Sequence, residues 1–272
     1  MSTTEKMQRA AQEMRITVLR MNHKAGSGHT GGSFSSAEIM TVLYDHVMNL
    51  RPDEPLWEER DRFVLSKGHA APMLYATMAR KGFFDPELLM TLRQTGSPLQ
   101  GHPCKMKLPG VEVPSGPLGF GCSVGLGMAL AADLNGKSFK TYVLCGDGEL
   151  DEGQNWEAFM SINKWNPKNL TIIIDRNHVQ LDGTKEEVMP MENLQGKIEA
   201  FGLKVINCDG HDTASLVDAF AQADAIDGTA VIIAETVKGK GVSFMEGQSA
   251  WHGKPINKED FENALVELEG AL

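Results

Sequence analysis

Residues 139–235 alternate short apolar segments with segments of helical periodicity, and this alternation limits the possible folds more than any other feature. Apolar strands that alternate with helices form a parallel sheet that helices cover on both faces. We therefore predict an α/β fold with a parallel sheet flanked by helices on both faces. The predicted strands begin near residue 139 and continue at 170–175, 203–207 and 229–235, with helices at 152–165, 193–201 and 213–225.

The flanking segments extend this fold into a single predicted domain over residues 1–272, a length sufficient for one large core. Helical spacing of apolar residues predicts the first helix, and glycine-rich segments predict three loops of a kind that often carries function. The predicted helices are 4–24, 36–49, 67–81 and 257–269, with a strand at 62–66 and loops at 25–32, 95–120 and 236–255.

Composition and charge exclude several classes of function. The net charge of −10, from 26 basic and 36 acidic residues, disfavours general binding to nucleic acid or to an anionic membrane. The polar N-terminus lacks the apolar core of a secretion signal, and no 18-residue apolar run predicts a membrane span. The four cysteines include no CxxC pair, which is typical of reduced thiols, so we expect a cytoplasmic protein.

Polar residues follow two successive strands of the predicted sheet. Asp147 lies between Gly146 and Gly148 after one strand, and Asn177 follows the next. Each alone is typical of a turn. Together they favour a site for one hard cation, Mg²⁺ or Ca²⁺ or Mn²⁺ in its place, with the Val179 carbonyl as a third oxygen ligand. Gly148 and the helix after it favour a phosphate beside that cation.

Four histidines adjoin glycine in the predicted loops: His29, His69, His102 and His252. Glycine lets a loop bring such a side chain close to a ligand, and histidine transfers protons near neutral pH. Zinc is the alternative ligand, but no HxxxH or HExxH spacing is present. The other four histidines are interpreted as structural or surface residues: His23, His46, His178 and His211.

Several further residues leave two interpretations open. Lys238 and Lys240 suit a solvated turn or phosphate contacts equally well, and 116–119 suits a plain turn or backbone laid against a flat cofactor. We interpret Glu149 and Asp151 as favourable charges at a helix N-terminus. Small residues on one face of segment 121–134 predict close approach to another element: Gly121, Gly125, Ala129 and Ala132.

Taken in order along the chain, these motifs resemble the N-terminal part of transketolase over nearly the whole sequence. The segments that carry the resemblance are 27–29, 62–69, 101–103, 116–119, 146–153 with Asn177, and 237–252. The resemblance implies a thiamine-diphosphate-binding fold and transfer of a two-carbon ketol unit from a ketose to an aldose, as sugar phosphates.

The resemblance also implies a role for each matching residue. The metal ligands would be Asp147, Asn177 and the Val179 carbonyl. The residues binding thiamine diphosphate would be His69, Gly116, Pro117, Leu118, Gly148, Asn177 and His252. The residues that hold sugar hydroxyls and assist proton transfer would be His29, His102 and His252. Glu152 matches a glutamate near the subunit interface of the family.

Two residues depart from the family pattern, Thr30 in place of a proline and Arg176 in place of an acidic or amide residue. The second transketolase domain is also absent from the sequence. We therefore expect the diphosphate-binding subunit of a split transketolase, which forms a heterotetramer with a C-terminal-type subunit, with the small-residue face of 121–132 as a contact surface. The alternatives are a subunit of another thiamine-diphosphate enzyme, a transketolase for a sulfonated or branched ketose, and a non-catalytic module.

Overall fold

A computed structural model describes residues 1–272 and places five parallel strands in one sheet. The strands are β1 (Arg62–Leu65), β2 (Thr141–Gly146), β3 (Leu170–Arg176), β4 (Lys204–Asp209) and β5 (Ala230–Glu235). Their order across the sheet is β1-β2-β3-β5-β4. β2 and β3 are neighbours, and Gly146 pairs with Asp175 near their carboxyl ends. In such sheets, ligands bind beyond the carboxyl ends of the strands.

Ten α-helices surround the sheet. They are α1 (Thr3–Ala25), α2 (Thr30–Ser35), α3 (Ala37–Val42), α4 (Ala71–Lys81), α5 (Gly121–Leu134), α6 (Gly153–Trp165), α7 (Lys185–Val188), α8 (Leu194–Ala200), α9 (Thr213–Asp224) and α10 (Lys258–Gly270). Short 3₁₀ turns occupy 68–70, 86–91, 148–151 and 249–252, and a π-helical turn follows α3 at 43–47. None of the ten combines the length and the apolar character that a membrane crossing needs.

The sheet separates two hydrophobic cores. Alternate residues of β2 point to opposite faces, so Tyr142 and Leu144 join the larger core while Val143 and Cys145 join the smaller one. Helices α1, α3, α4, α9 and α10 contribute to the larger core, and α5, α6 and α8 contribute to the smaller one. The predicted α/β class, with a parallel sheet covered on both faces, is therefore confirmed.

The glycine-rich loop predicted at 25–32 is partly helical, because α2 begins at Thr30. His29 precedes it in the left-handed conformation, with φ of 70°. A Cβ on Gly31 would approach Cγ of Lys238 to 2.9 Å, so this glycine permits close packing rather than loop mobility. The predicted strand 203–207 lies instead at 204–209. Helix α7 lies in a segment for which no helix was predicted.

The small-residue face of α5 packs against the chain's own sheet. A Cβ on Gly121 would collide with Ser66, and one on Gly125 would collide with Val143 of β2. Ala129 and Ala132 on the same face are fully buried. The predicted close approach is confirmed, but the interpretation of this face as a surface for a partner subunit is wrong.

Candidate functional site

The carboxylate of Asp147 is buried at the end of β2 and is held by backbone donors. Oδ1 accepts a hydrogen bond from the Gly148 N–H at 2.9 Å, and Oδ2 accepts one from the His178 N–H at 2.8 Å. Burial, and then the charge of Asp175, raises the pKa of Asp147 to about 6. A cation next to this carboxylate would favour its charged form.

The side-chain amide of Asn177 is oriented by Asp175, two residues earlier in the chain. Nδ2 of Asn177 donates to Asp175 Oδ2 at 3.2 Å, while Oδ1 accepts from the Val179 N–H at 3.2 Å. Because Asp175 can only accept from this amide, it is the oxygen of Asn177 that remains for a cation. The Val179 carbonyl accepts a hydrogen bond from Lys238 Nζ at 2.9 Å.

A cavity of about 180 Å³ brings most of the predicted site together. Its lining residues are Gly32, Lys67, His69, Leu118, Gly146, Asp147, Gly148, Glu149, Asn177, Val179, Gln180, Leu181, Lys238 and His252. The three predicted metal ligands therefore share one cavity with four residues predicted to bind the cofactor, His69, Leu118, Gly148 and His252. The predicted residues His29, His102, Gly116, Pro117 and Glu152 lie outside its lining.

The four glycine-flanked histidines form one cluster. The ring centroids of His69 and His252 lie 4.8 Å apart, and the His29 ring lies 5.7 Å from each of them. His102 is farther out, with its ring 6.3 Å from that of His29. The structure thus places these residues together, as their flanking glycines predict. No three histidine, cysteine or carboxylate side chains converge as a metal site, and the predicted cation set differs by using amide and carbonyl oxygens.

The cluster is uncharged at neutral pH. Burial, followed by the Arg93 charge, lowers the pKa of His29 to about 4. Burial, followed by the Lys238 charge, lowers the pKa of His252 to about 3. The pKa of His69 falls well below its usual value, mainly through burial, and that of His102 is also lowered. Each ring therefore offers one N–H donor and one nitrogen acceptor.

Lys67, in the wall of the cavity, forms with Asp175 a buried ion pair that the sequence did not predict. Lys67 Nζ donates to Asp175 Oδ2 and to the Gly32 carbonyl, the latter at 2.7 Å. Asp175 also accepts from Ser35 Oγ at 2.6 Å and from Thr236 Oγ1. Burial alone would raise the pKa of Asp175, but the Lys67 charge together with the hydrogen bonds from Lys67, Ser35 and Thr236 outweighs burial, and the pKa is lowered. The sequence signal that could have indicated this pair is an acidic residue, Asp175, inside the apolar strand β3.

Glu149 is a buried structural acceptor, so its interpretation as a helix-terminus charge is wrong. It accepts hydrogen bonds from Ser66 Oγ, from the Gly119 N–H at 2.9 Å and from the Gly146 N–H at 3.1 Å. Three segments that surround the cavity therefore meet at one carboxylate. Asp151 is exposed and pairs instead with Lys185 at 2.6 Å.

The two lysines of the loop after β5 differ in environment. Lys238 is buried, so the solvated-turn interpretation is wrong for it. Its Nζ lies 2.8 Å from His252 Nδ1, and burial, with Lys67 nearby, lowers its pKa to about 8. Lys240 is partly exposed, with Nζ 3.7 Å from a carboxylate oxygen of Glu246.

The donor chemistry of the cavity fits a divalent cation bound to a diphosphate. Oxygens of Asp147, Asn177 and Val179 suit a hard cation. The buried ammonium groups of Lys67 and Lys238 line the same cavity. Lys67 is paired with Asp175, and Lys238, which has no carboxylate partner, favours an anion. The cavity therefore combines both charge preferences of a metal-diphosphate group.

Residues 6–268 match the family described as "Transketolase, thiamine diphosphate binding domain". The chain belongs to the transketolase family. This match confirms the resemblance found in the sequence and the predicted thiamine-diphosphate-binding fold.

Similar proteins include proteins named as transketolase subunits and proteins named simply as transketolases. A subunit of the apulose-4-phosphate transketolase of Phocaeicola vulgatus is 42% identical over 97% of this chain and 94% of its own length. The 6-deoxy-6-sulfo-D-fructose transketolase subunit SqwG of a Clostridium species is 42% identical over 97% of this chain and 96% of its own length. Human transketolase is 40% identical over 95% of this chain but only 41% of its own length.

Solved transketolase structures share the fold of this chain. The enzyme from Campylobacter jejuni superposes with a TM-score of 0.92 at 34% identity, covering 98% of this chain. The enzyme from Leishmania mexicana gives a TM-score of 0.91 at 33% identity, covering 99% of this chain. This transketolase-family chain spans 43% and 42% of those two proteins.

The 116–119 loop of this transketolase-family chain lies between the histidine cluster and the 148–151 turn. A Cβ on Gly116 would lie 3.7 Å from the His102 ring. Gly119 has φ of 90°, and a Cβ there would approach Cβ of Glu152 to 2.9 Å. Of this loop, Leu118 lines the cavity. The cofactor contacts of Gly116, Pro117 and Leu118 and the interface role of Glu152 stay predictions.

Proposed function

We propose that this chain is the thiamine-diphosphate-binding subunit of a two-subunit transketolase that transfers a two-carbon ketol unit from a ketose or ketose phosphate to an aldose or aldose phosphate. The main observation behind this proposal is one cavity. Oxygen donors at two adjacent strand ends line it, together with two buried lysines and with His69 and His252 of the neutral histidine cluster. Relatives that match over 94% and 96% of their own lengths bear subunit names, which supports action with a separate partner chain.

In this proposal, Asp147, Asn177 and the Val179 carbonyl hold Mg²⁺, or Ca²⁺ or Mn²⁺ in its place. The diphosphate is held by Gly148, Asn177, His69 and His252, with loop 116–118 beside the cofactor ring. When bound, thiamine diphosphate would supply a nucleophilic carbon and an electron sink for ketol transfer.

In this proposal, the side chains of the histidine cluster orient the sugar and assist proton transfer to and from it. His29, His102 and His252 are neutral, so each has a ring N–H that can donate to a sugar oxygen. The rings of His102 and His252 lie 6.3 and 5.7 Å from that of His29, which is close enough for several such groups to contact one small polyhydroxylated molecule. Orientation of the reacting carbonyl and exclusion of water complete the contribution of this chain.

The partner in this proposal is a C-terminal-type transketolase subunit, in a heterotetramer with two copies of each chain. The names of the relatives point to apulose-4-phosphate or a sulfonated fructose as substrates, besides ordinary sugar phosphates. We place the enzyme in the cytoplasm, since the four cysteines are free and a reducing compartment suits them.

The test is reconstitution of the chain with its partner, followed by an assay of ketol transfer with magnesium and thiamine diphosphate. We expect activity from the complex with ketoses and none with pyruvate as donor. Asp147→Ala should abolish turnover, while the exposed-site control Asp53→Ala should retain it. Full activity of Asp147→Ala would refute the metal assignment, and strong activity of the isolated chain would refute the need for a partner.

A further inference from the structure

Arg93 occupies a strained position beside the histidine cluster. Its φ of 59° lies in the left-handed region, which is uncommon for a non-glycine residue. Its N–H donates to the Leu99 carbonyl at 2.9 Å, which closes the turn. The guanidinium lies over Gly101, where a Cβ would approach Cζ of Arg93 to 2.6 Å. The absence of a side chain at residue 101 therefore makes room for this guanidinium.

The guanidinium contacts one ring nitrogen of His29. Nη2 of Arg93 lies 3.4 Å from His29 Nδ1 and 3.4 Å from the Gly101 carbonyl. Arginine has five N–H donors and no acceptor, so Nδ1 of His29 must accept this hydrogen bond. In a neutral imidazole the proton then resides on Nε2. No protein group hydrogen-bonds to that Nε2, which leaves it for a ligand.

His252 shows the same relation to a second cation. Its Nδ1 lies 2.8 Å from Nζ of Lys238, and a lysine ammonium can likewise only donate. The rings of His29 and His252 lie 5.7 Å apart. Two neighbouring histidines are therefore both neutral rings with a cation on Nδ1 and a proton on Nε2.

We propose that Arg93 is a positioning residue that fixes His29 as the Nε2–H tautomer, so that His29 meets a sugar oxygen as a hydrogen-bond donor. This inference deepens the proposed transketolase function and rests on it for the nature of the ligand. An Nε2–H group aimed at an oxygen that gains negative charge stabilises that charge without prior rearrangement of the site. Arg93 acts through His29 and is not itself assigned a contact with the substrate.

The tautomer is measurable without catalysis. Long-range ¹H–¹⁵N correlation spectra of the full chain, labelled with ¹⁵N in histidine, distinguish a protonated ring nitrogen from an unprotonated one. The signals of His29 are those that disappear in His29→Gln. We expect wild-type His29 to be protonated only on Nε2, and Arg93→Met to add a measurable Nδ1–H population.

Two further variants and one control separate tautomer control from general damage. Gly101→Ala displaces the guanidinium without removing it and should shift the His29 tautomer as Arg93→Met does. Arg93→Lys keeps a cation that can only donate and should preserve the wild-type tautomer. Gly270→Ala, at an exposed glycine with open space around its Cα, is the matched control and should change nothing.

The reconstituted complex supplies the second measurement. Loss of one hydrogen bond of ordinary strength lowers kcat/KM by about five-fold, and we expect that loss for the ketose donor in Arg93→Met and in Gly101→Ala. A wild-type His29 protonated on Nδ1 would overturn the proposal. An unchanged His29 tautomer in both Arg93→Met and Gly101→Ala would also overturn it. So would an intact tautomer with a raised KM for phosphorylated sugars alone, because Arg93 would then bind phosphate. Failure of ketol transfer itself would refute the proposed function and leave the spectra to decide the tautomer.

Discussion

Lys67 and Asp175 form an ion pair in which neither side chain reaches solvent, although 108 residues separate them in the chain. The lysine follows β1 and the aspartate lies in β3, so the pair spans the intervening strand β2. Asp175 in turn orients the amide of Asn177, one of the predicted metal ligands. The pair thus links the stability of the sheet to the geometry of the cavity.

Asp175→Asn should therefore destabilise the fold strongly. Removing one partner of a buried ion pair leaves an uncompensated charge, which costs about 3–5 kcal/mol of unfolding free energy. Urea unfolding of the isolated chain measures this, with the exposed Asp218→Asn as control. Adding Lys67→Met to Asp175→Asn should recover part of the lost unfolding free energy, because the unpaired buried ammonium is then removed. Equal stability of Asp175→Asn and wild type would contradict the buried pair.

Glu149→Gln should weaken both the fold and cofactor binding. A glutamine amide has one oxygen and one NH₂ group, so it cannot accept from Gly119 and Gly146 on both sides as the carboxylate does. An unpaired buried donor costs about 1–3 kcal/mol. We expect a lower Tm and a larger Kd for thiamine diphosphate in the reconstituted complex, measured by tryptophan fluorescence. A changed Tm with an unchanged Kd would show that Glu149 does not position loop 116–119.

Stability in acid should depend on Glu38. Burial opposes its ionisation, but Arg15 and His211 outweigh burial and lower its pKa from 4.5 to about 2. A carboxyl whose folded pKa is depressed stabilises the fold above its unfolded pKa and loses that contribution as pH falls from 4.5 towards 2. The shift corresponds to about 3 kcal/mol in total.

Urea unfolding across this pH range, on wild type and Glu38→Gln, tests the prediction. The variant should be less stable at neutral pH, because Arg15 loses its buried partner at 2.5 Å. Its stability should then fall less steeply than that of wild type between pH 4.5 and 2. The exposed control Glu54→Gln should retain the wild-type slope. Parallel slopes for Glu38→Gln and wild type would refute the assignment.

The strand pattern and the ends of the strands could be predicted because both are local in sequence. Apolar runs indicate buried parallel strands, and the carboxyl ends of such strands share one edge, so Asp147 and Asn177 had to lie near each other. The glycine-flanked histidines such as His69 and His252 could be grouped for a related reason, since their loops follow elements that end at that edge.

Long-range partners could not be read from the sequence. Glu149 beside a helix start has the same local pattern whether it faces solvent or accepts three buried hydrogen bonds. The small-residue face of α5 indicated close packing, but nothing local distinguishes contact with β2 from contact with another chain. Burial of Lys238 likewise depends on how loop 236–255 folds back onto α2, which a residue pattern does not specify.

Glu235 should stabilise the predicted metal site through His178, without contacting the metal itself. It accepts from Arg176 at 2.7 Å and lies 2.9 Å from Nε2 of His178. His178 has φ of 61°, and in this left-handed conformation its backbone N–H reaches Asp147 Oδ2. The pairing with Glu235 also explains how the chain accommodates Arg176, its departure from the family pattern, next to Asn177.

Glu235→Ala should therefore loosen His178 and weaken cation binding without removing a ligand. We expect about a ten-fold larger Kd for Mn²⁺ in the reconstituted complex with thiamine diphosphate, which corresponds to the ~1.4 kcal/mol that one charge-assisted hydrogen bond contributes. Electron paramagnetic resonance of free Mn²⁺ measures the Kd directly. Glu246→Ala, in the neighbouring loop and paired with Lys240, is the control for a lost surface charge. An unaltered Mn²⁺ affinity in Glu235→Ala would mean that the backbone alone holds His178 in place.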